Sequence, residues 1–377
     1  MEVVRSWGSD GPRKAVLALE DGSFFFGWGF GSIGEAQGEV VFNTGMVGYV
    51  ESLTDPSYRG QILVQTYPLI GNYGVQESEL ESRGIQVEGY VVRNLCRYPS
   101  HWSSSSSLES WLESEGVPGI FGVDTRALTT KLRSRGTMLG VLVSYDYGQE
   151  PNLYELRAKV NALSSPYTED MVYEVSTNEV VYHKSQGKYK IVLLDLGVKM
   201  GIVRSLLARG ADVIQVPAST SPNEIIDMEP EGLVISNGPG DPKLFRRQIE
   251  SVRQLISEGL PTLGICLGNQ LVALALGALT FKLKFGHRGQ NHPVIRSSDG
   301  RLLITSQNHG FAVEPNSLDG TGLKVEFTHA NDKTIEGLSH ERLPILTTQF
   351  HPEASPGPLD SQYVFDEFLK MIELSRK

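Results

Sequence analysis

One of the two cysteines of the chain, Cys266, stands between Gly264 and Gly268 at the meeting point of two apolar runs, and a thiol so placed is a candidate nucleophile. Residues 261–265 read as a short buried strand and residues 270–279 (QLVALALGAL) as a buried helix, so Cys266 falls on the sharp turn between them. Such a turn needs small flanking residues because the backbone is strained and a neighbouring segment passes close by. Unpaired N–H groups at a helix start favour a negative sulfur by about 0.3 to 1 kcal/mol. That is too little for full activation, since a free thiol is mostly un-ionised at neutral pH, and a base is required.

The base on offer is His351, in the strand-like run LPILTTQFHPE. Pro352 fixes its own φ and pushes His351 towards extended backbone, so His351 and Glu353, two residues apart, point the same way. A carboxylate there would hold the imidazole in one tautomer and stabilise its charged form. Thiolate attack on an amide also needs donors for the developing oxyanion. The stretch Ser236-Asn237-Gly238-Pro239-Gly240-Asp241-Pro242, directly after the apolar run 232–235, offers closely approaching backbone N–H groups, with the N–H of Leu267 as a second donor.

These groups must be held by neighbouring elements. Residues 190–195 read as a buried strand, 199–209 as a helix ended by Gly210, 212–216 as a strand and 242–258 as a helix. Repeats of this kind predict an α/β domain with a doubly wound, mostly parallel sheet whose ligands bind at the C-terminal strand ends, where Gly238, Cys266 and His351 all fall. The N-terminal half predicts a β-rich α/β domain. It has a hairpin at 15–19 and 23–26 and strands at 40–42, 62–66, 85–92 and 137–144. Its helices are one opened by a capping box at Ser106 to Glu109, one over 125–135 capped by Asp124 and stopped by Gly136, and one over 152–163. The polar run 183–188 reads as an interdomain linker, giving domains of residues 1–182 and 188–377.

Composition limits the function further. A chain of 377 residues, 40% hydrophobic and 21% charged, can bury two cores. A net charge of −10 argues against nucleic acid as the partner. No apolar run approaches the roughly 18 residues of a membrane span, and the N-terminal residues lack the apolar core of a signal peptide, so a cytoplasmic protein without membrane contact is expected. In that reducing compartment Cys96 and Cys266 are expected to stay unpaired. No phosphate-binding loop motif occurs, so this chain has no evident ATP site. His287 and His292 lack an accompanying cysteine or carboxylate cluster in the sequence, and no metal site is read from them. His309 reads as a loop histidine bonded to backbone.

The oxyanion loop, the nucleophile turn and the His-Pro-Glu strand, in this order along the chain, resemble the triad-type class I glutamine amidotransferases. The resemblance widens with Asn43-Thr44-Gly45-Met46-Val47-Gly48-Tyr49, Leu53-Thr54-Asp55-Pro56-Ser57-Tyr58, Val123-Asp124-Thr125-Arg126, Gly286-His287-Arg288-Gly289-Gln290-Asn291-His292-Pro293 and Gln307-Asn308-His309-Gly310-Phe311, which look like the small, glutamine-hydrolysing subunits of carbamoyl-phosphate synthetases. That likeness implies a Cys266, His351 and Glu353 triad forming a thioester, with L-glutamine held by Ser57 from the N-terminal domain, Gly238, Gly240, Leu267, Gln270, Asn308, Gly310 and Phe311. It implies no cofactor in this chain. A large-subunit partner, in a heterodimer or higher assembly, would use ATP, Mg and bicarbonate to make carbamoyl phosphate for arginine and pyrimidine biosynthesis. The alternatives are the glutaminase subunit of another synthetase and a free-standing hydrolase of glutamine or γ-glutamyl compounds. At position 269, where most bacterial relatives carry histidine, this chain has Asn269, which cannot place a charge near the thiolate.

Overall fold

A computed structural model describes residues 13–376. The described residues form two compact units: one comprises residues 13–54 together with Gly60–Pro166, the other Asp55–Arg59 together with residues 167–376.

The first unit is built on a closed barrel. Its strands are β1 (Lys14–Leu19), β2 (Phe24–Gly31), β3 (Gly34–Asn43), β4 (Gln61–Gln65), β6 (Gly89–Val91), β8 (Pro118–Phe121) and β9 (Met138–Tyr145), closing in the order β1-β2-β8-β6-β4-β3-β9; β5 (Leu69–Ile70) and β7 (Asn94–Leu95) form a separate two-stranded ribbon. Closure leaves no open sheet edge, which short β-rich sequences must otherwise protect. The helix Leu153–Ala162, capped by the Asn152 side chain on the Tyr154 N–H at 3.0 Å, buries Leu156 and Val160 against Val16, Ala18 and Val141. Each such side chain stabilises the unit by about 1.5 to 3 kcal/mol. Asp124 caps the helix Thr125–Arg135 and Gly136, at φ 110°, ends it. The capping box expected at Ser106 to Glu109 is displaced by one residue: Ser107 caps the helix Leu108–Ser114 by accepting from the Ser110 N–H. Of the long strand expected over residues 85–92, only β6 forms.

The second unit is a ten-stranded sheet. Its strands are β10 (Val181–His183), β11 (Tyr189–Leu194), β12 (Ala211–Val216), β13 (Gly232–Ile235), β14 (Thr262–Ile265), β15 (Thr280–Arg296), β16 (Leu302–Val313), β17 (Leu323–His329), β18 (Ile335–His340) and β19 (Ile345–Thr348), ordered β10-β12-β11-β13-β14-β19-β18-β17-β15-β16. Helices cover both faces of the parallel part, as the alternation along β11 requires. Ile191 and Leu193 join one core with the helices Met200–Leu207 and Tyr363–Ser375, and Val192 and Leu194 join the other with Pro222–Asp227, Arg246–Ser257 and Leu267–Ala275. Doubly wound is therefore an accurate description, but mostly parallel is not. The pairings among β12, β11, β13, β14 and β19 are parallel, and every pairing outside them is antiparallel. The antiparallel wing arises from residues 280–340, whose polar strands are interrupted by bulges between Lys282 and His287 and between Gly289 and His292, so no clean alternation marks them.

Three other elements differ from expectation. The run 183–188 lies inside the second unit, where it joins β10 to β11 and is pinned by Asp212 Oδ1 accepting from the Ser185 N–H at 2.7 Å and the Gly187 N–H at 3.3 Å. The helix after Cys266 spans Leu267–Ala275, earlier than residues 270–279, because it begins at the nucleophile turn itself and stops before Gly277, at φ 97°. The helix expected over 242–258 is a short turn, Pro242–Leu244, then a separate helix, Arg246–Ser257, broken where Phe245 leaves helical geometry at ψ 54°. No helix among the described residues is long and apolar enough to cross a membrane.

Candidate active site

Parallel strands of the second unit end together, and β13, β14 and β19 deliver the chemistry at those ends. Cys266 follows β14 with φ 53° and ψ −100°, a conformation that side chains of L-residues rarely adopt. Strain of this kind costs on the order of 1 to 3 kcal/mol and persists only where the surroundings impose it. Here the Cys266 N–H donates to Thr348 O on β19 at 2.7 Å, and the helix Leu267–Ala275 departs at once. The following turn crosses β13 so closely that a Cβ on Gly268 would lie 2.2 Å from Ile235 O. Leu267 occupies the first helical position, where an N–H has no intrahelical acceptor and remains available to an oxyanion.

His351 lies just past β19 and is held by its own N–H donating to Ser306 O at 2.9 Å. Its Nδ1 is 2.7 Å from Glu353 Oε1, and its Nε2 is buried without a hydrogen bond. Glu353 Oε1 also receives Lys199 Nζ at 3.0 Å, and Lys199 donates in turn to Ala354 O at 2.8 Å. All three side chains are buried. Burial alone would push the imidazole towards its neutral form, but the Glu353 carboxylate outweighs it, with Cys266 acting the same way, and His351 is raised well above an ordinary histidine. Burial likewise opposes ionisation of Glu353, and Lys199, then His351, overrule it and hold the carboxyl below its usual range. The arrangement is a thiol beside an imidazole that is kept charged and oriented through Nδ1.

Around the sulfur, the structure brings together most of the residues proposed to hold substrate. Asn308 O is 3.6 Å from Cys266 Sγ, and Asn308 Nδ2 donates to Asp55 Oδ2 at 2.8 Å. Asp55 Oδ1 accepts from the Ser57 N–H at 2.9 Å, and Ser57 Oγ accepts from Asn237 Nδ2 at 2.9 Å. Ser57 thus belongs with the second unit rather than with the first, because the turn Pro56–Tyr58 is tied to that unit through Asp55 and Asn237. Gln270 Nε2 donates to Phe311 O at 2.9 Å and to Gln349 Oε1 at 3.1 Å. Gly238 sits under Leu196, where a Cβ would come within 2.2 Å of Leu196 O, and Gly240 takes φ 95° on the same loop. Gly310 lies on β16 beside Phe311.

Sequence reasoning passed over Lys199, Asp55, Asn237 and Gln349 as members of the site. For Gln349 a signal existed. Thr347, Gln349 and His351 alternate along one extended run, so all three face the same side. Lys199 carried no such mark, since a lysine at a helix start normally reads as solvated.

His287 and half-buried His292 lie in a cluster with the buried His309 and His329 that also recruits the buried carboxylate of Glu336 and the exposed one of Asp332, which the local sequence did not show. His287 stacks on His329 with ring centroids 4.4 Å apart and planes at 20°. Contrary to the sequence expectation, two groups here, His287 with His292 and His329 and His287 with His309 and Glu336, have ligand atoms close enough together to hold a metal ion. Hydrogen bonds also link the cluster: His287 Nε2 to Asp332 Oδ2 at 2.7 Å, His292 Nδ1 to His329 Nε2 at 3.2 Å, and His309 Nδ1 to Phe311 O at 2.8 Å.

Comparison with known proteins places this geometry in context. Residues 17–142 match the family model of the carbamoyl-phosphate synthase small chain, CPSase domain, and residues 192–371 match that of class-I glutamine amidotransferases. The chain is similar to the carbamoyl phosphate synthase small chain of Methanopyrus kandleri, with 52% identity covering 95% of this chain and 99% of the relative. It is also similar to those of Listeria monocytogenes serotype 4b, at 49% identity over 95% and 97%, and of Symbiobacterium thermophilum, at 50% over 95% and 98%.

Proposed function

The chain belongs to the carbamoyl phosphate synthase small chain family and is the glutaminase subunit of that glutamine-hydrolysing synthase, and from this premise we propose that Cys266, His351 and Glu353 carry out the hydrolysis. The family places the protein in arginine and pyrimidine biosynthesis.

In the proposed reaction, the Cys266 thiolate attacks the side-chain amide carbon of glutamine. The oxyanion forms against the backbone N–H groups of Gly238 and Leu267, the C–N bond breaks, and His351 gives its proton to the departing ammonia. His351 then takes a proton from water as it attacks the thioester, and the sulfur leaves with its electron pair to regenerate the thiolate and release glutamate. Glu353 holds the imidazole through Nδ1 throughout. Ser57, Gly240, Gln270, Asn308, Gly310 and Phe311 would orient the amino-acid end of glutamine.

Ammonia protonated in bulk water is no nucleophile, so it would pass directly to a large subunit bound to this chain. That partner would hold the ATP and Mg, with no cofactor required here. A cytoplasmic setting suits the free thiols of Cys96 and Cys266.

The observation that carries this reading is the strained, buried Cys266 beside an imidazole whose opposite nitrogen is held by Glu353 at 2.7 Å. Cys266→Ser tests it. With the partner, ATP and bicarbonate present, synthesis from glutamine should fall by roughly 10⁴-fold or more while synthesis from added ammonia survives. Glutamine-dependent turnover by the variant at a rate near that of the native protein would overturn the assignment.

A further inference from the structure

Gln349 lies against Cys266 at the nucleophile turn and has no part in the reaction as described so far. Its Nε2 is 3.7 Å from Cys266 Sγ, a hydrogen-bonding distance for sulfur, and the whole side chain is buried. Which end of the amide faces the sulfur follows from the surrounding bonds. Phe311 O accepts from Gln270 Nε2 at 2.9 Å, and a carbonyl can only accept, so the Gln270 amide cannot be turned round. The same Gln270 nitrogen donates to Gln349 Oε1 at 3.1 Å, as does Asn269 Nδ2 at 3.0 Å, while Asn269 Oδ1 accepts from Thr347 Oγ1 at 2.7 Å. Two donors therefore fix the oxygen of Gln349, and its NH₂ group has to point at Cys266. The reversed amide would set donor against donor twice among fully buried side chains.

A second polar contact of the sulfur runs the opposite way. Asn308 O, 3.6 Å from Sγ, can accept a proton from a thiol but offers nothing to a thiolate. The N–H of Gln349 adds, beside the charged His351, a neutral donor that a thiolate can use.

We propose that Gln349 is a catalytic hydrogen-bond donor to the Cys266 sulfur, oriented by Gln270 and Asn269, that stabilises the thiolate before attack and again as it leaves the thioester. This rests on the reading of Cys266 as the nucleophile. In the second half of the reaction, the bond between sulfur and the acyl carbon breaks and its electron pair returns to sulfur, so a fixed donor there lowers the barrier to deacylation. The proposal also gives Asn269 a role. It acts two hydrogen bonds from the sulfur, as the second donor that locks Gln349, and an uncharged side chain suffices for that.

The test is the pH profile of Cys266 alkylation by iodoacetamide, read by mass spectrometry on the full chain, with Cys96 in the same sample as the internal control. Alkylation needs no glutamine and no turnover. Gln349→Glu keeps an oxygen for Asn269 and Gln270 and presents an acceptor to the sulfur in place of a donor. Gln349→Met keeps the volume and presents neither. Losing one hydrogen bond to an ionised group should slow Cys266 alkylation at neutral pH by roughly tenfold in Gln349→Met and displace its profile by about one pH unit upward, with a larger displacement in Gln349→Glu. Cys96, in the first unit, should react as in the native protein and normalises the reagent, whereas loosening of the second unit would expose the buried Cys266 and speed its alkylation rather than slow it. If Gln349→Met does not fold, Gln349→Glu alone decides. A Cys266 profile in the folded variants that coincides with the native one, or moves to lower pH, overturns the proposal. Failure of glutamine to form a thioester on native Cys266 would instead overturn the nucleophile assignment, a separate measurement with a separate outcome.

Discussion

Replacing Glu353 by Gln should damage the protein in two distinguishable ways, because Glu353 Oε1 is shared between His351 Nδ1 at 2.7 Å and Lys199 Nζ at 3.0 Å. The amide keeps the shape but not the charge. Lys199, buried, keeps its bond to Ala354 O but loses the Glu353 charge, and breaking a buried pair from one side costs about 3 to 5 kcal/mol. Lys199→Met should cost less, because Glu353 keeps His351 Nδ1 at 2.7 Å as a partner. The double variant removes both charges and should recover on the order of 2 kcal/mol relative to the sum of the singles. For the chemistry, the charged imidazole loses a hydrogen bond to a carboxylate, worth about 1.5 to 3 kcal/mol, or roughly 10- to 150-fold in rate. Stability of the second unit can be read from hydrogen exchange of the amides of β11, β13 and β14. Turnover can be read from glutamate release in the complete synthase. Stability losses that add within about 0.5 kcal/mol in the double variant, together with an unimpaired rate in Glu353→Gln, would refute the reasoning.

Three further outcomes follow from the same contacts. His351→Asn should be more damaging to glutamate release than Glu353→Gln, since it removes the proton carrier rather than its support, and equal, native-like rates in both would place the base elsewhere. Gly238→Ala would set a Cβ 2.2 Å from Leu196 O, so the oxyanion loop must shift, and a displacement of about 1 Å should lower kcat by roughly 100-fold; a native kcat would show that this loop does not hold the transition state. Burial opposes a charge on His287, but Asp332 and Glu336 overrule it and raise its pKa from 6.5 to about 9. With the folded value above the unfolded one, this stabilisation is complete below about pH 6.5 and disappears as pH rises towards 9, by an amount on the order of 3 kcal/mol at most. His287→Gln should flatten the pH dependence of the second unit's Tm across that window, and an unchanged slope would count against the ion pairs.

The parts of the fold legible in the sequence were those governed by local pattern. Apolar runs such as KIVLLD and the punctuation of Gly210 and Gly136 locate strands and helix ends because buried parallel strands and C-caps leave few alternatives. The antiparallel wing left no such trace, since β15 carries lysines, histidines and a glycine at φ 71° within one strand, and its pairing is set by tertiary contacts and bulges. The site shows the same division. Cys266, His351 and the glycines around them are marked by backbone demands that only certain residues meet. Lys199 and Asp55 are ordinary in sequence and gain their meaning from partners far along the chain, Glu353 and Asn308. Ser57 could be placed in the site but not in the correct compact unit, because a five-residue excursion of chain into another unit has no signature of its own.

The most direct test of the central claim is to mix the native protein with labelled glutamine, quench with acid and map the label by mass spectrometry. A γ-glutamyl thioester confined to the Cys266 peptide, absent from Cys266→Ser and accumulating when deacylation is slowed, is the result predicted. Label on another residue, or glutamate release from the native protein with no Cys266 adduct at any quench time, would contradict the account.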